Sequence, residues 1–362
     1  MIGRSTGRNS PPAGRRQHGP LHGYAPGCWE PRRLEKAKDG CVIEVVRAIV
    51  LGLVQGLTEF VPISSSGHLV LLPFLLRWPE PSLAFNVAMH FGTFGAVILY
   101  FRAELLATAK GVLGLDRSPD GLLYRRLGLY LVLGSIPVAV VGLALEDSIE
   151  QVFASPLAAA LLLLGTATLL VVGERIRDQR VAEGERIEAS GGRPASHDEP
   201  GAERQAAAGG SAAEGTGNRP RLPSGADPSD PVGITLQGLT WKQALQIGIF
   251  QCLALLPGMS RSGATITAGV LTGLTREAAT RFSFLLSLPA LIGAGALSAG
   301  DLAELGAYSG PAIAAGVVAS FISGYLAIRF LVALVARDRL TVFARYCVAA
   351  SAVGVIGVYL ID

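Results

Sequence analysis

The sequence predicts an all-α polytopic membrane protein with two inverted halves, each a re-entrant helix–loop–helix pair followed by three transmembrane helices. Half of its 362 residues are hydrophobic and only 16% are charged, whereas about a quarter of residues are charged in a typical soluble domain. A soluble core of this size cannot bury so many apolar segments, but a bilayer solvates them directly. The net charge of +3 and the lack of interleaved aromatic and basic residues argue against nucleic-acid binding.

Ten apolar segments follow one another in two matching series. Each series has one medium segment, one short segment and three segments long enough to span a bilayer. The series cover residues 41–60, 69–76, 84–101, 122–145 and 156–173, and then 243–256, 266–274, 282–299, 311–335 and 345–361. A shift of 196 residues places Gly52–His68 over Gly248–Ala264 with 6 identities in 17 positions. We therefore predict an internal duplication, with membrane repeats at residues 41–173 and 240–362.

Two polar regions lie outside these repeats. Residues 1–40 are rich in Gly, Pro and Arg, which predicts either a disordered basic tail or a start codon assigned too far upstream. Residues 174–239 are rich in Gly, Ala, Pro and mixed charge, so they lack the apolar area that would offset the entropy lost on ordering. We predict that this second region is a flexible polar linker between the repeats.

The charges of four loops predict the topology. Loops 102–121 and 336–344 carry Lys or Arg, whereas loops 146–155 and 300–310 carry neither. The positive-inside rule therefore places the first pair in the cytoplasm and the second pair outside. All four loops satisfy this rule only if each medium-plus-short pair enters and leaves the membrane on one side. The chain then has six full spans, and two polar breaks enter from opposite faces and meet at mid-membrane, as in inverted-repeat proteins.

The first polar break places a carboxylate, hydroxyls and an imidazole close together in the chain. Gln55 and Glu59 are four residues apart and share a helix face. A carboxylate inside an apolar segment is costly and by default marks a functional site. Pro62 and Gly67 predict a helix break that frees backbone N–H groups for an anion. The polar side chains within and after this break are Ser64, Ser65, Ser66 and His68.

The second polar break contains an arginine, Arg261, in an otherwise apolar stretch. Its guanidinium is always charged, and its forked donors match two oxygens of a phosphate. The small and hydroxyl residues around it predict additional contacts with the same anion from backbone amides and side chains. These predicted substrate-binding residues are Gly258, Ser260, Ser262, Gly263 and Thr265, together with Ser64 and Ser66 of the first break.

Together, the two breaks predict phosphoryl transfer to water. Arg261 is the predicted anion clamp, Ser65 the nucleophile or water-orienting hydroxyl, and His68 the proton-transfer group. A carboxylate beside a phosphate is repulsive unless a hard cation lies between them. We therefore predict that Glu59, helped by the neutral Gln55, holds Mg²⁺ or Ca²⁺ against the phosphate oxygens.

Other polar residues in the apolar segments carry weaker signals. Two interpretations remain open for His90, which either lines the cavity or packs between helices. Arg276, Glu277 and Arg281 precede a predicted span, and we expect them at a membrane interface.

The two motifs also resemble a known family. The strings QGLTEFVPISSSGHLV and LALLPGMSRSGATIT closely resemble those of the bacterial undecaprenyl-diphosphate phosphatases of the bacitracin-resistance type. The resemblance covers residues 42–361 apart from most of the linker. Gln55 and Glu59 match the family's first motif, although Gln55 stands where some members have Glu, which leaves one fewer charge for a metal. The other matching positions are Ser64, Ser65, His68 and Pro257–Thr265.

The resemblance implies hydrolysis of undecaprenyl diphosphate to undecaprenyl phosphate and inorganic phosphate. It further implies a divalent cation, a bacterial plasma-membrane location with the site open to the extracytoplasmic side, and inverted repeats with re-entrant helices. The product is the lipid carrier for peptidoglycan synthesis, and such enzymes confer bacitracin resistance. The implied partners are the polyprenyl diphosphate lipid and the bilayer, and the sequence also allows a homodimer.

Two alternative functions remain open at this point. A polyprenyl-phosphate transporter or flippase would use the same mid-membrane anion site, but it has no need of a base and a metal-binding carboxylate. A membrane scaffold would use the polar breaks only for helix packing. The two alternatives differ from a phosphatase in whether substituting Glu59, Ser65 or His68 removes activity without lowering stability.

Overall fold

Helices account for nearly all regular structure in the parts of the chain that the computed structural model describes, which are residues 31–145, 155–190, 233–297, 305, 308–335 and 340–361. The first half contains α1 (Pro31–Phe60), α2 (Ser65–Leu75), α3 (Leu83–Tyr100), α4 (Arg102–Val112), α5 (Pro119–Ala144) and α6 (Pro156–Ala189). The second half contains α7 (Trp241–Gln251), α8 (Arg261–Leu271), α9 (Arg276–Leu297), α10 (Gly310–Val335) and α11 (Thr341–Ile361). Short 3-10 turns lie at Leu236–Gly238 and Cys252–Leu255. The predicted all-α class is confirmed for these residues.

Five helices, α3, α5, α6, α10 and α11, are long and apolar enough to cross a bilayer. They coincide with five of the six predicted spans, and the protein is a multi-pass membrane protein. The sixth predicted span, at residues 282–299, falls in α9, which is helical over Arg276–Leu297. Its crossing of the membrane remains a prediction.

Helix α10 shows the polarity expected of a helix in lipid. Its outer face is a stripe of large apolar residues, each at least 51% exposed, at Val318, Ile322, Leu326 and Phe330. Its inner face carries small and hydroxyl residues, and the buried Ser320 donates a 2.7 Å hydrogen bond to the Met89 carbonyl of α3. Because lipid provides no hydrophobic drive between helices, small residues and hydroxyls hold such helices together.

The two halves use matching glycine contacts. Gly52 of α1 faces Gly316 of α10 so closely that a Cβ on Gly52 would come within 2.2 Å of the Gly316 carbonyl oxygen. Gly248 of α7 faces Gly134 of α5 equally closely, since a Cβ on Gly248 would come within 2.2 Å of the Gly134 carbonyl oxygen. The 196-residue shift also aligns Gly52 with Gly248. The duplication itself and the inverted orientation of the repeats remain predictions.

The linker begins later than the predicted boundary at Glu174. Helix α6 continues to Ala189, and Glu174 lies inside it at only 2% exposure. Both Glu174 carboxylate oxygens accept hydrogen bonds from the guanidinium of Arg276, and one also accepts from the Leu340 N–H at 3.3 Å. Arg276 is correspondingly buried, at 6% exposure, instead of lying at an interface as expected. An ion pair between two halves of the chain thus anchors α6 just beyond its apolar segment.

The two ends of the predicted linker both contact the C-terminal end of α8 or the turn that follows it. Arg180 donates to the carbonyls of Val270 and Leu271 at 2.9 and 2.6 Å. At the other end, Ile234 forms an isolated parallel bridge with Leu274. Residues 191–232 lie outside the described residues, so the linker remains a prediction there.

The remaining boundaries and loops are only partly described. Residues 1–30 lie outside the described residues, and α1 begins at Pro31, within the predicted tail. The loop predicted at 102–121 contains α4, which the sequence analysis missed. Most of the other three loops used for the topology lies outside the described residues, including 146–154, 301–304 and 336–339.

Candidate active site

The first break lies where α1 ends and α2 begins. Helix α1 stops at Phe60, and Ser64 adopts φ 70°, a left-handed conformation that is strained for a residue with a side chain. The Ser64 hydroxyl caps α2 by accepting the Gly67 N–H at 3.3 Å. The helical path is thus interrupted between α1 and α2, and Ser65, the first residue of α2, contacts Glu59 near the end of α1.

The second break repeats this arrangement between α7 and α8. The Ser260 hydroxyl caps α8 by accepting the Gly263 N–H at 3.0 Å. Gly258, with φ 93°, provides the left-handed turn that lets the chain approach α6. A Cβ on Gly258 would lie 2.3 Å from the Ala159 carbonyl oxygen, so only glycine fits there.

The two breaks contact each other directly. The Gly258 N–H donates to the Ser66 hydroxyl at 3.4 Å, and the Ser262 hydroxyl donates to the Val61 carbonyl at 3.2 Å. The N-termini of α2 and α8 therefore lie side by side. Helix N-termini carry unpaired N–H groups and a partial positive charge, which favour an anion.

Thr166 of α6 holds the second break in place. Its hydroxyl donates to the Gly258 carbonyl at 2.9 Å and accepts the Ser260 N–H at 2.8 Å. The side chain is fully buried. The sequence analysis missed Thr166, because one threonine in an apolar helix gives no local signal of its partner 92 residues away.

Glu59 and Arg261 form the centre of the site. Arg261 Nη2 lies 2.6 Å from Glu59 Oε1, and its Nη1 donates to the Ser283 carbonyl at 3.3 Å. Glu59 Oε2 accepts hydrogen bonds from the Ser65 hydroxyl at 2.6 Å and from Gln55 Nε2 at 3.0 Å. The structure thus brings together four of the predicted residues, from both halves of the chain.

The burial of this ion pair matters for its chemistry. Only 6% of the Glu59 side chain and 14% of the Arg261 side chain are exposed. Taking two charges out of water is costly, and the mutual attraction offsets the cost only while both partners remain. An incoming phosphate that takes the place of Glu59 on the guanidinium leaves the carboxylate with only its neutral donors, Ser65 and Gln55, so a cation beside Glu59 would be needed to balance its charge.

His90 lines the same site. Its Nε2 lies 3.5 Å from Glu59 Oε2, and its Nδ1 lies 2.8 Å from the Asn86 carbonyl oxygen. Of the two interpretations left open by the sequence, the structure therefore supports the one in which His90 faces the site, since its ring contacts Glu59.

His68 lies apart from the Ser65 hydroxyl that it was expected to activate. Its Nδ1 is 2.7 Å from the Ser64 carbonyl, and its Nε2 is 2.8 Å from the hydroxyl of Tyr346 on α11, whose ring stacks on the imidazole. Ser65 instead donates to Glu59. The two residues share the first turn of α2 but their side chains bond in different directions. Tyr346 was not predicted, because it sits among ordinary span residues.

Several predicted substrate contacts are occupied within the protein. The hydroxyls of Ser260 and Ser262 lie 3.1 Å apart and are buried. The buried Thr265 hydroxyl donates to the Arg261 carbonyl at 2.8 Å and lies 2.6 Å from the Ser283 hydroxyl. These groups stabilise the N-terminus of α8 in this structure. The half-buried Ser65, Ser66 and Arg261 remain the predicted contacts best placed to reach a phosphate.

The residues around Glu59 fit a divalent cation in one respect. Gln55 Oε1 is buried and has no hydrogen-bond partner among the described residues, although it sits beside the Glu59 carboxylate. An unpaired amide oxygen next to a carboxylate is the kind of ligand set that hard cations take. Over the same described residues, no group of three or more acidic, His or Cys side chains forms a ready-made metal cluster.

The fold and site define a multi-pass membrane protein in which two helix breaks enclose a buried arginine–glutamate pair. The chain belongs to the bacitracin resistance protein BacA family, whose family model matches residues 48–192 and 229–353. The resemblance inferred from the two motifs is thereby confirmed.

Individual relatives cover most of this chain. A protein from Trichlorobacter lovleyi named undecaprenyl-diphosphatase is 38% identical over 311 residues, which are 85% of this chain and 95% of that protein. One of the same name from Moorella thermoacetica is 38% identical over 303 residues, or 83% and 93% of the two chains. Another of that name from Methanosphaera stadtmanae is 35% identical over 330 residues, or 88% and 99% of the two chains.

Proposed function

We propose that this protein hydrolyses undecaprenyl diphosphate to undecaprenyl phosphate and inorganic phosphate. The observation that carries the proposal is the 2.6 Å contact between Arg261 of the second half and Glu59 of the first. It puts a phosphate-binding cation and a hydrogen-bonded carboxylate at the meeting point of two helix N-termini. Relatives over most of the chain carry the name undecaprenyl-diphosphatase.

Arg261 is the proposed anchor for the terminal phosphate. Its guanidinium moves from Glu59 to the phosphate oxygens, which it contacts through paired donors. The N-termini of α2 and α8 add partial positive charge on the same side. These donors stabilise charge on the transferred phosphoryl group, which is the main requirement for catalysis of phosphoryl transfer.

Ser65 is the proposed nucleophile or the group that orients a water molecule. In either route an oxygen forms a bond to the terminal phosphorus, and the bond from that phosphorus to the bridging oxygen breaks, releasing undecaprenyl phosphate. The 2.6 Å hydrogen bond from Ser65 to Glu59 aims the hydroxyl and gives its proton an acceptor. If Ser65 attacks, water then releases the phosphate from the serine.

His68 remains the proposed proton-transfer group for the leaving oxygen or the product. Its hydrogen bonds to Ser64 and Tyr346 hold the imidazole in one orientation. Glu59 and Gln55 would hold a divalent cation, which when bound neutralises charge on the phosphate oxygens.

The proposal includes the location and the biological consequence. The site opens to the extracytoplasmic side of a bacterial plasma membrane, and the product is the lipid carrier for peptidoglycan synthesis. Removal of the diphosphate lipid confers bacitracin resistance. A homodimer is compatible with this proposal but is not required for the site, which a single chain completes.

Phosphate release from undecaprenyl diphosphate by the purified protein in detergent tests the proposal. Wild-type protein should release phosphate, and Glu59→Ala and Arg261→Ala should not. Full release by Glu59→Ala would refute the catalytic assignment. The absence of release by the wild type, combined with binding of the monophosphate lipid, would favour the transporter instead.

A further inference from the structure

The hydrogen bonds of His90 determine what its second nitrogen presents to the site. A carbonyl oxygen can only accept, so the 2.8 Å contact with the Asn86 carbonyl places the proton on Nδ1. Nε2 is therefore the ring nitrogen that faces Glu59, at 3.5 Å from Oε2. This separation is beyond the range of about 2.7–3.2 Å for an N–H···O hydrogen bond. An imidazole nitrogen and a carboxylate oxygen at this separation could both bind a cation placed between them.

Glu59 does not need His90 as a hydrogen-bond donor. Its carboxylate already accepts hydrogen bonds from Arg261, Ser65 and Gln55. Two adjacent ligands about 2.2 Å from one metal ion in an octahedral site lie about 3.1 Å apart. The His90–Glu59 separation of 3.5 Å is within about half an ångström of this value.

Each of the two helices also carries one unpaired buried oxygen. Gln55 Oε1 and Asn86 Oδ1 are both buried without a hydrogen-bond partner among the described residues. Gln55 precedes Glu59 by four residues on α1, and Asn86 precedes His90 by four residues on α3, so each shares a helix face with one member of the pair. Buried polar atoms are almost always satisfied in native proteins, so one orphaned oxygen on the same face as each member of the pair points to a bound cation.

The packing keeps these two faces side by side. Helices α1 and α3 both lie against Ser320 of α10. A Cβ on Gly56 of α1 would come within 2.4 Å of the Ser320 carbonyl oxygen, and a Cβ on Gly92 of α3 within 2.9 Å of the Ser320 side chain. Any larger residue at either glycine would push the two faces apart.

We infer that His90 Nε2 and Asn86 Oδ1 complete a cation site with Glu59 and Gln55. This inference deepens the proposed function and rests on it for the role of the cation. Ca²⁺ takes six to eight oxygen ligands, whereas a site of three oxygens and one imidazole nitrogen suits a first-row transition ion better. Mn²⁺ accepts carboxylate and carbonyl oxygens and is itself a first-row transition ion, so we expect it to bind more tightly than Ca²⁺. This changes the prediction of Mg²⁺ or Ca²⁺ made from the sequence.

Pulsed electron paramagnetic resonance on Mn²⁺ tests the inference directly. Purified, metal-stripped protein in detergent is loaded with one equivalent of Mn²⁺ alone. The electron spin echo of the wild type should show ¹⁴N modulation from a coordinated imidazole. Labelling the histidines with ¹⁵N should replace this signal by the ¹⁵N pattern without any mutation. The absence of nitrogen modulation in the wild type, or of Mn²⁺ binding, overturns the inference.

Two variants and one control identify the histidine. His90→Gln should lose the modulation and weaken Mn²⁺ binding on the order of tenfold or more. Asn86→Ala should weaken binding but keep the modulation, and His68→Gln should keep both. Modulation that persists in His90→Gln contradicts the assignment. If His90→Gln does not fold, His90→Asn replaces it, and the labelled wild type still decides whether a histidine is bound.

The outcome is separable from that of the proposed function. Phosphate release by the wild type is measured separately with excess Mg²⁺. Release without nitrogen modulation would overturn only the cation site. Nitrogen modulation without release would leave the site standing and overturn the proposed phosphatase activity.

Discussion

Arg261 Nη2 lies 2.6 Å from Glu59 Oε1, although 202 positions separate the two residues in the chain. Each residue sits beside a helix break, and the breaks belong to different halves. A local motif cannot create this contact, because neither half contains both charges in its break. The active centre therefore exists only when the two halves are packed together, and substitutions that disturb the contact between the breaks should affect activity even where they touch no charge.

Gly258→Ala should destabilise the protein. The glycine adopts φ 93°, and a Cβ would lie 2.3 Å from the Ala159 carbonyl oxygen. The strain of a side chain in left-handed backbone and the overpacking against Ala159 together should lower the free energy of unfolding by at least about 2 kcal/mol. Thermal unfolding in detergent measures the change. Gly293→Ala, in open space on α9, is the control and should leave the melting temperature unchanged or raise it.

Thr166→Val should weaken the second break. The substitution removes both hydrogen bonds that Thr166 makes and leaves a buried N–H and a buried carbonyl unpaired, which costs about 1–3 kcal/mol. Phosphate release should fall as well, because Ser260 and Arg261 lose their support. Thr168→Val on the same helix removes only a bond to the carbonyl one turn back and should have little effect on either measurement. Equal effects of the two variants would contradict this account.

Glu174→Ala should be among the most destabilising single changes. It leaves the buried guanidinium of Arg276 without its partner. Breaking a buried pair in this way lowers the free energy of unfolding by about 3–5 kcal/mol. The double variant Glu174→Met, Arg276→Met should recover much of the melting temperature. Arg186→Ala, which breaks an exposed pair with Glu183, should change it little. A double variant less stable than Glu174→Ala would show that the pair contributes more than mutual neutralisation.

His68→Gln should reduce phosphate release by roughly 10²–10⁴-fold with an unchanged melting temperature, as expected for a proton-transfer group. Tyr346→Phe removes only the hydroxyl that orients the imidazole and should cost about tenfold. Tyr359→Phe on the same helix is 77% exposed and serves as the control. A fall in stability that parallels the fall in activity would favour the scaffold interpretation.

The sequence predicted the helices and the meeting of the two breaks because both follow from local features. Apolar length predicts which segments cross a bilayer, and the pairing of each medium segment with a short one predicted that both breaks lie within the membrane; their entry from opposite sides remains a prediction. Charges in an apolar segment then identified Glu59 and Arg261 as functional, since each is costly there without a partner.

The features that the sequence did not predict depend on tertiary contacts. The end of α6 has the composition of a linker, and its helix is stabilised by Arg276, 102 residues from Glu174. The proximity of His90 to Glu59 depends on how α1 and α3 pack against α10. Thr166 has no distinguishing neighbours in the sequence, so only the fold shows that it bonds to the second break.

A double-mutant cycle on phosphate release tests the central claim most directly. Glu59→Gln, Arg261→Gln and the double variant are compared with the wild type on undecaprenyl diphosphate, with melting temperatures measured in parallel. If the two residues act as one unit on one diphosphate, each single change should remove nearly all release, and the double change should add little further loss. The claim would be contradicted if the fold-loss of the double variant equalled the product of the two single fold-losses, or if Glu59→Gln released phosphate at the wild-type rate.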